Sequence, residues 1–387
     1  MVDSMRILAV SWRDLAHPLA GGSEVLVDRL LRELQARGHE VALVCGGPVG
    51  ARPYPVHRAG GTFTQYLRAP LICATRLRHF DLVVDVENGV PFFSPLWRRR
   101  PSVCLVHHIH SDQWRTRFPP LVAAVASAVE RFLIPLVYRN RLFVAVSQST
   151  ADALEGIGVE QRRIRVVENG IDVPSGPIGT ESSEPLFVAL SRLVPHKRVA
   201  LLLEAWRSVQ PVVGGRFAII GDGPELTDLR GLAEGLPGAE MLGHIGNAER
   251  DRLLAEAWLL VHGSHHEGWG VVILEAAAAG TPTLAVDAPG VRDAVLDGVS
   301  GVLVHAREGE LTSALSAAWI ALAGDAGRRK RMGARARQRA GEFEWGRVVD
   351  AWEAVAAEAL TGSQDRPGGR EGLATPDTVP SRLKRSG

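Results

Sequence analysis

Short apolar runs alternate with helix-length amphipathic stretches along almost the whole chain, and that rhythm limits the fold more than any other feature. Strand-length runs joined by helical crossovers pair in parallel, which predicts open sheets with helices on both faces. In the first half the strand candidates are RILAVSW, EVALVC, DLVVDV, SVCLVHH, RLFVAVS and IRVVENG. VPSGPIGTESSEP then breaks the pattern with Pro, Gly and Ser. The alternation restarts as PLFVALS, RFAIIG, AEMLG, AWLLVHG and TPTLAVD. The helix after the first strand is expected to be capped by Ser23 and stopped by Gly38, with Val25, Leu26, Leu30, Leu31 and Leu34 as its apolar stripe.

A chain of 387 residues exceeds one ordinary core, so two doubly wound α/β domains in series are expected. The first would span residues 1–172 and the second 186–340, with 173–185 as linker. One last helix is read over 341–360. Residues 361–387, rich in Gly, Pro and charge and without periodicity, read as a disordered tail.

Forty-four basic side chains against 43 acidic leave a net charge of +1, which lacks the basic field of a nucleic-acid binder. Only three cysteines occur, Cys45, Cys73 and Cys104, without close paired spacing. A disulfide framework or structural zinc site is not expected, and a reducing compartment fits. No apolar run is read as reaching the ~18 to 20 residues that span a bilayer, and MVDSMRILAVSW lacks a signal-peptide pattern. The expectation is a cytoplasmic protein, with peripheral membrane contact left open.

In open α/β sheets ligands sit at the carboxyl ends of strands, so motifs that follow strands matter most. HHEGWGVVILEAAAAGTP, residues 265–282, is one. Glu267 precedes an alanine-rich helix, Glu275 lies near its second turn, and Gly268, Trp269 and Gly270 fall at its N-terminus. Free amides and the helix dipole favour an anion or an electron-rich oxygen there, and glycine lets a ligand approach the backbone. Two ionised carboxylates could accept from two sets of hydroxyls on one elongated ligand. The plainer reading is dipole compensation and an ordinary surface glutamate.

SRLVPHKR, residues 191–198, places Arg192 and Lys197 in a strand-to-helix turn, one a fork and one a point charge for a diphosphate. A solvated helix start explains them equally well. GDGPE opens a helix at Pro224 after Gly221, and AGGSE places Gly21 and Gly22 before another; each is weak alone, and no G-x-G-x-x-G is present. CLVHHIHSDQW sets His107 and His108 at a strand end with His110 beyond. No Cys or acidic ligand shares a recognisable spacing with them, so no metal is expected and a histidine donating to a substrate hydroxyl is favoured. DVE, residues 85–87, continues an apolar strand and is set aside as a metal motif.

Taken together, in chain order, VSQST…ENGID, SRLVPHK, GDGP and EGWGVVILE resemble the family-four retaining glycosyltransferases of GT-B fold, over about residues 5–360. The resemblance implies two facing Rossmann-like domains and a closing helix, bearing Trp345, that crosses back to the first. It implies that Arg192 and Lys197 hold the diphosphate of a UDP- or GDP-linked sugar. Glu275 would accept from the ribose hydroxyls and Glu267 from the donor sugar. The amides of Gly268, Trp269 and Gly270 would orient that sugar, and His107 would contact it from the acceptor domain. Gly21 and Gly22 would approach the phosphates, and Ile245 the base. The nucleotide-sugar is a co-substrate, and neither cofactor nor metal is implied. Two departures stand out: His108 doubles the family's single histidine, and DAPGVRD replaces its Gly-Gly-containing turn, which puts phosphate contacts from 288–293 in doubt.

The hydroxyl acceptor is less legible; a lipid-linked acceptor and a cell-envelope glycan or glycolipid are the candidates. YLRAPLICATRLRHF, residues 66–80, reads as an amphipathic basic helix, and WRRR follows at 97–100. Such a face could rest on anionic lipid at the inner face of the plasma membrane, although a solvated face is the common explanation. Two other readings stay open: a nucleotide-sugar epimerase of the same fold, and a non-catalytic nucleotide-sugar-binding module.

Overall fold

The computed structural model describes residues 4–110, 114, 118–176 and 179–362. Seven strands form the first sheet: β1 (Arg6–Arg13), β2 (Glu40–Gly46), β3 (Val56–Arg58), β4 (Leu82–Glu87), β5 (Ser102–Val106), β6 (Leu142–Ala145) and β7 (Ile164–Val166). Six form the second: β8 (Leu186–Leu190), β9 (Arg216–Ile220), β10 (Ala239–Gly243), β11 (Leu259–His262), β12 (Thr283–Val286) and β13 (Gly301–Val304). Every strand pair is parallel. β4 and β5 are buried at every position, as strands covered by helices on both faces must be. This is the GT-B arrangement of two Rossmann-like sheets. β3 and β13 were not foreseen.

The strand orders are 3-2-1-4-5-6-7 and 10-9-8-11-12-13. Order therefore reverses between β1 and β4 in one sheet and between β8 and β11 in the other. A crevice opens at such a switch point, beyond the carboxyl ends of the strands. The loops that line the two crevices are those after β1, β4, β8 and β11.

Several local expectations need correction. The helix Gly22–Ala36 is capped by Gly21, whose N–H donates to the Glu24 carboxylate at 2.7 Å; Ser23 lies inside it. Its buried stripe uses Val27, whereas Val25 is 50% exposed, because positions two apart on a helix point to opposite sides. The helix after GDGPE begins at Leu226 rather than Pro224, since the turn first folds back on the β8 loop, with Glu225 N–H donating to Leu193 O at 3.2 Å. The basic helix spans only Gln65–Thr75. Of the expected disordered tail, Thr361 ends the last helix and the residues from 363 onward lie outside the described ones.

Residues Gly341–Phe343 form a short turn, and the last helix runs Trp345–Thr361. It packs on the Gly22–Ala36 helix of the first sheet. Arg37 pairs with Asp350 at 2.5 Å and with Glu353 at 2.9 Å, and Arg165 with Glu358. Gly170 passes so close to Trp345 that a Cβ there would lie 2.4 Å from the indole. One apolar cluster joins both sheets through Trp269, Phe343, Trp345 and Val349; another, around Phe187, Trp206 and Trp319, lies wholly in the second.

Candidate functional site

The loop after β8 contains Arg192 and Lys197, and the loop after β11 contains Glu267. Because β8 and β11 are neighbours, the switch point brings these loops together. Lys197 Nζ donates to Glu267 Oε1. His262, the last residue of β11, lies 2.9 Å from the same oxygen, and Ser264 Oγ donates to it at 2.7 Å. Three donors thus converge on one carboxylate oxygen, in a setting where the two charged side chains are only 12% and 15% exposed. Burial pushes the Glu267 carboxyl up, but Lys197 and His262 outweigh it and hold it well below the carboxylate range. Glu267 is therefore ionised and stiffly held.

The backbone around Glu267 is equally constrained. Its N–H donates to Pro289 O at 3.0 Å. Gly290, at φ 77°, passes so near that a Cβ would sit 2.2 Å from Glu267 O. The DAPGVRD turn, lacking the Gly-Gly pair, still supplies the glycine this approach requires. Gly270, at φ 72°, is the N-cap of the helix Val271–Ala279, so the amides of the Gly268–Gly270 turn lie at a helix N-terminus. The Trp269 ring is buried edge-on against Phe343, centroids 4.9 Å apart, which leaves its main chain for a ligand.

Glu275 lies on the same helix, 30% exposed, with Arg250 Nη1 3.8 Å from its carboxylate. Burial raises its pKa and Arg250 opposes the rise. The helix Asn247–Glu256 that carries Arg250 starts directly after Ile245, which is half-buried against the joint core. Glu275 thus lies beside the helix that follows Ile245. Gly221 has a packing role: at φ 146°, a Cβ would stand 1.8 Å from Ser191 O.

From the first sheet, the β1 loop faces Arg192. A Cβ on Gly21 would be 3.7 Å from the Arg192 guanidinium carbon, whereas one on Gly22 would meet nothing within 4 Å. Arg13, at the end of β1, is close enough to Arg192 for the two cations to oppose each other, and Glu24 lies 4.0 Å from it. Neither Arg13 nor Glu24 was foreseen; their signal was weak, one residue at a strand end and one in a helix's first turn.

His107 follows β5 and is buried, with Nε2 unpartnered. Burial, with His110 nearby, lowers its pKa to about 4, so the ring is neutral at physiological pH. Its carbonyl meets the second sheet: a Cβ on Gly268 would lie 2.7 Å from His107 O. His108 lies tilted against His110, ring centroids 3.9 Å apart, and approaches His266 at 5.3 Å, so the doubled histidine bridges the two sheets. His110 turns toward acids, its Nδ1 3.9 Å from Glu87 and 3.6 Å from Glu130. These three are the group among the described residues that could approach one metal ion. Local spacing could not show it, because the acids arrive from β4 and from a helix near residue 130. Of DVE, set aside as a metal motif, Glu87 thus joins that group, whereas Asp85 supports the fold, accepting from Phe92 N–H at 2.9 Å and Ser94 N–H at 2.8 Å.

The chain matches two family models: Glycosyltransferase Family 4 over residues 20–174 and Glycosyl transferases group 1 over 175–339. It is 30% identical to the D-inositol 3-phosphate glycosyltransferase of Nocardia farcinica, an alignment covering 97% of this chain and 94% of that protein. The enzyme of the same name from Geodermatophilus obscurus is 32% identical over 58% of this chain, which spans 55% of that relative. The glycogen synthase of Mycobacterium tuberculosis is 28% identical, with 93% and 96% covered. Among solved structures, Anabaena HepE in complex with UDP and glucose superposes with a TM-score of 0.70 at 20% identity, covering 92% of this chain and 99% of that one. Sucrose-phosphate synthase from Thermosynechococcus elongatus gives 0.75 at 17% identity, with the same coverage. At those identities the structural likeness concerns the fold.

Proposed function

This chain belongs to the family-four glycosyltransferases, retaining and metal-independent enzymes of GT-B fold that use a nucleotide-sugar donor, and we propose how its residues divide that work. Arg192 and Lys197 hold the diphosphate, and Glu267 accepts from hydroxyls of the donor sugar. Glu275 accepts from the ribose, and Ile245 borders the base. The amides of Gly268 to Gly270 orient the sugar and Gly22 leaves room for the phosphates. Neutral His107 donates or accepts at a sugar hydroxyl from the other sheet. The observation that carries this assignment is the meeting of Lys197 and Glu267 at the β8/β11 switch point.

In this reading the bond between the sugar's anomeric carbon and the diphosphate oxygen breaks, and its electron pair leaves with the diphosphate. Arg192, Lys197 and the helix N-terminus stabilise that charge. The acceptor hydroxyl attacks from the same face, and its proton passes to the departing phosphate oxygen. Lys197 must then exchange part of its bond to Glu267 for the phosphate, and Glu267 keeps His262 and Ser264 as partners.

The domain division proposed is 1–172 and 186–340, joined by 173–185, with 341–360 as the returning helix. The three free, buried cysteines agree with a cytoplasmic setting. Donor identity is tested by thermal shift with UDP- and GDP-linked sugars, followed by assay of nucleoside diphosphate release with and without hydroxyl acceptors. A donor that stabilises the protein and is turned over faster with an acceptor supports transfer. Release independent of any acceptor, with an epimerised donor as product, points to the epimerase; binding without turnover points to a binding module.

A further inference from the structure

The helical segment Pro120–Val137 is built the wrong way round for a surface helix. Its inner side carries Ala123, Glu130 and Ile134, while Leu121, Val125, Phe132 and Leu136 point outward, between 57% and 78% exposed. An ordinary surface helix buries its apolar stripe and shows its charges. Here the one carboxylate faces inward, accepting from His110 N–H at 2.5 Å and from the Trp114 indole at 3.2 Å. Contrary to the sequence-based expectation, this segment has the length and composition of a bilayer span, yet only 17% of it is buried. Glu130, Ala123 and Ile134 fix it to the first sheet's domain, so it lies along the surface rather than crossing a membrane.

Charge along the segment is one-sided. Over residues 120–141 the chain has three arginines, Arg131, Arg139 and Arg141, and one acid, Glu130, which is buried. Arg131 and Arg139 are exposed beside the apolar face. A symmetric pair of copies joined through this face would oppose like charges, because each patch meets itself. An anionic lipid surface satisfies both features, taking the apolar side chains at the acyl boundary and the guanidiniums among the headgroups.

We propose that the outward apolar face of Pro120–Val137, with Arg131 and Arg139 at its margin, seats this protein on an anionic bilayer. The earlier candidate, WRRR, contributes little to it: Arg98 is buried against the Leu77 and Phe80 carbonyls, and Arg100 pairs with Asp81 at 3.0 Å. The segment follows on the chain from His107 and His110, so docking brings the acceptor side of the cleft to the lipid.

The test is cosedimentation with vesicles of phosphatidylcholine alone and of phosphatidylcholine with phosphatidylglycerol. The expected result is binding to the anionic vesicles about ten-fold stronger than to neutral ones, weakened by salt. The combined variant L121S/V125S/F132S/L136S is expected to lose that binding while keeping the melting temperature and donor hydrolysis of the parent. R131E/R139E is expected to weaken binding to anionic vesicles only. Absence of binding by the parent, or binding unchanged in the serine variant, would overturn the proposal. A dimer in solution that the same serine substitutions dissociate would overturn it too, showing that a second copy covers the face.

Discussion

Lys197 and Glu267, 70 positions apart, share a hydrogen bond because β8 and β11 are neighbours across the reversal of strand order. Neither loop alone marks a site. Their meeting makes a partly desolvated ion pair in which each charge is the other's main compensation. Removing one partner of such a pair typically costs about 3–5 kcal/mol when the other is left buried. His262 and Ser264 remain to support Glu267, so the cost of losing Lys197 should fall below that range. The expectation is a non-additive cycle: Lys197→Ala, Glu267→Ala and the double variant each reduce turnover by about 100-fold or more, the double little worse than the worse single. Steady-state kinetics at saturating donor would measure it, and losses that simply multiplied would show the two residues acting separately.

Glu275 stands apart from that pair, and its substitution should behave differently. Its carboxylate has Arg250 at 3.8 Å and is partly solvated, so Glu275→Gln leaves the fold intact. If it grips the ribose, donor KM rises about ten-fold with kcat changed far less, the pattern of lost uniform binding. A fall in kcat at unchanged KM would move Glu275 away from the nucleotide.

How far the sequence revealed all this depends on which residues carried a local pattern. The parallel sheets were legible because strand and helix lengths alternate, and Arg192, Lys197, Glu267 and Glu275 because they follow strands. The burial of the Trp269 ring was not legible, because the Phe343 edge that covers it comes from a turn 74 positions further along the chain. His262 and Ser264 gave no signal, being a strand's last residue and an unremarkable serine. The outward face of Pro120–Val137 was missed because periodicity gives a stripe but not its direction. Glu130 turns that stripe toward solvent, and its partners come from residues near 110.

Acid should loosen the fold through two groups of the same sign. Glu267 is depressed in the folded state, so its contribution is present above the unfolded value near 4.5 and lost as pH falls through the lower folded value. His107 is buried neutral, lowered from 6.5 to about 4. Below 6.5 the unfolded chain binds a proton that the folded chain refuses, so stability falls as pH drops from 6.5 toward 4, by up to about 3 kcal/mol. Melting temperature should decline over that window, and His107→Gln should flatten the decline. An unchanged slope in the variant would mean that His107 takes up its proton as readily in the folded chain as in the unfolded one.

Two glycines separate what the site needs for shape from what it needs for space. Gly290 has positive φ, and a Cβ would lie 2.2 Å from Glu267 O, so Gly290→Ala must strain its own backbone and push the Glu267 loop aside. A loss of about 2 kcal/mol or more is expected, read as a lower denaturation midpoint, together with lost activity. Gly22 opens the first sheet's helix, and a Cβ there meets nothing within 4 Å. Gly22→Ala should therefore keep the denaturation midpoint. If the open space belongs to the donor's phosphates, as proposed, the same substitution weakens donor binding, read as a smaller thermal shift at fixed nucleotide-sugar concentration. A stable Gly22→Ala variant with an undiminished shift would place the phosphates elsewhere in the cleft, while a destabilised one would show that the loop needs glycine for its own packing.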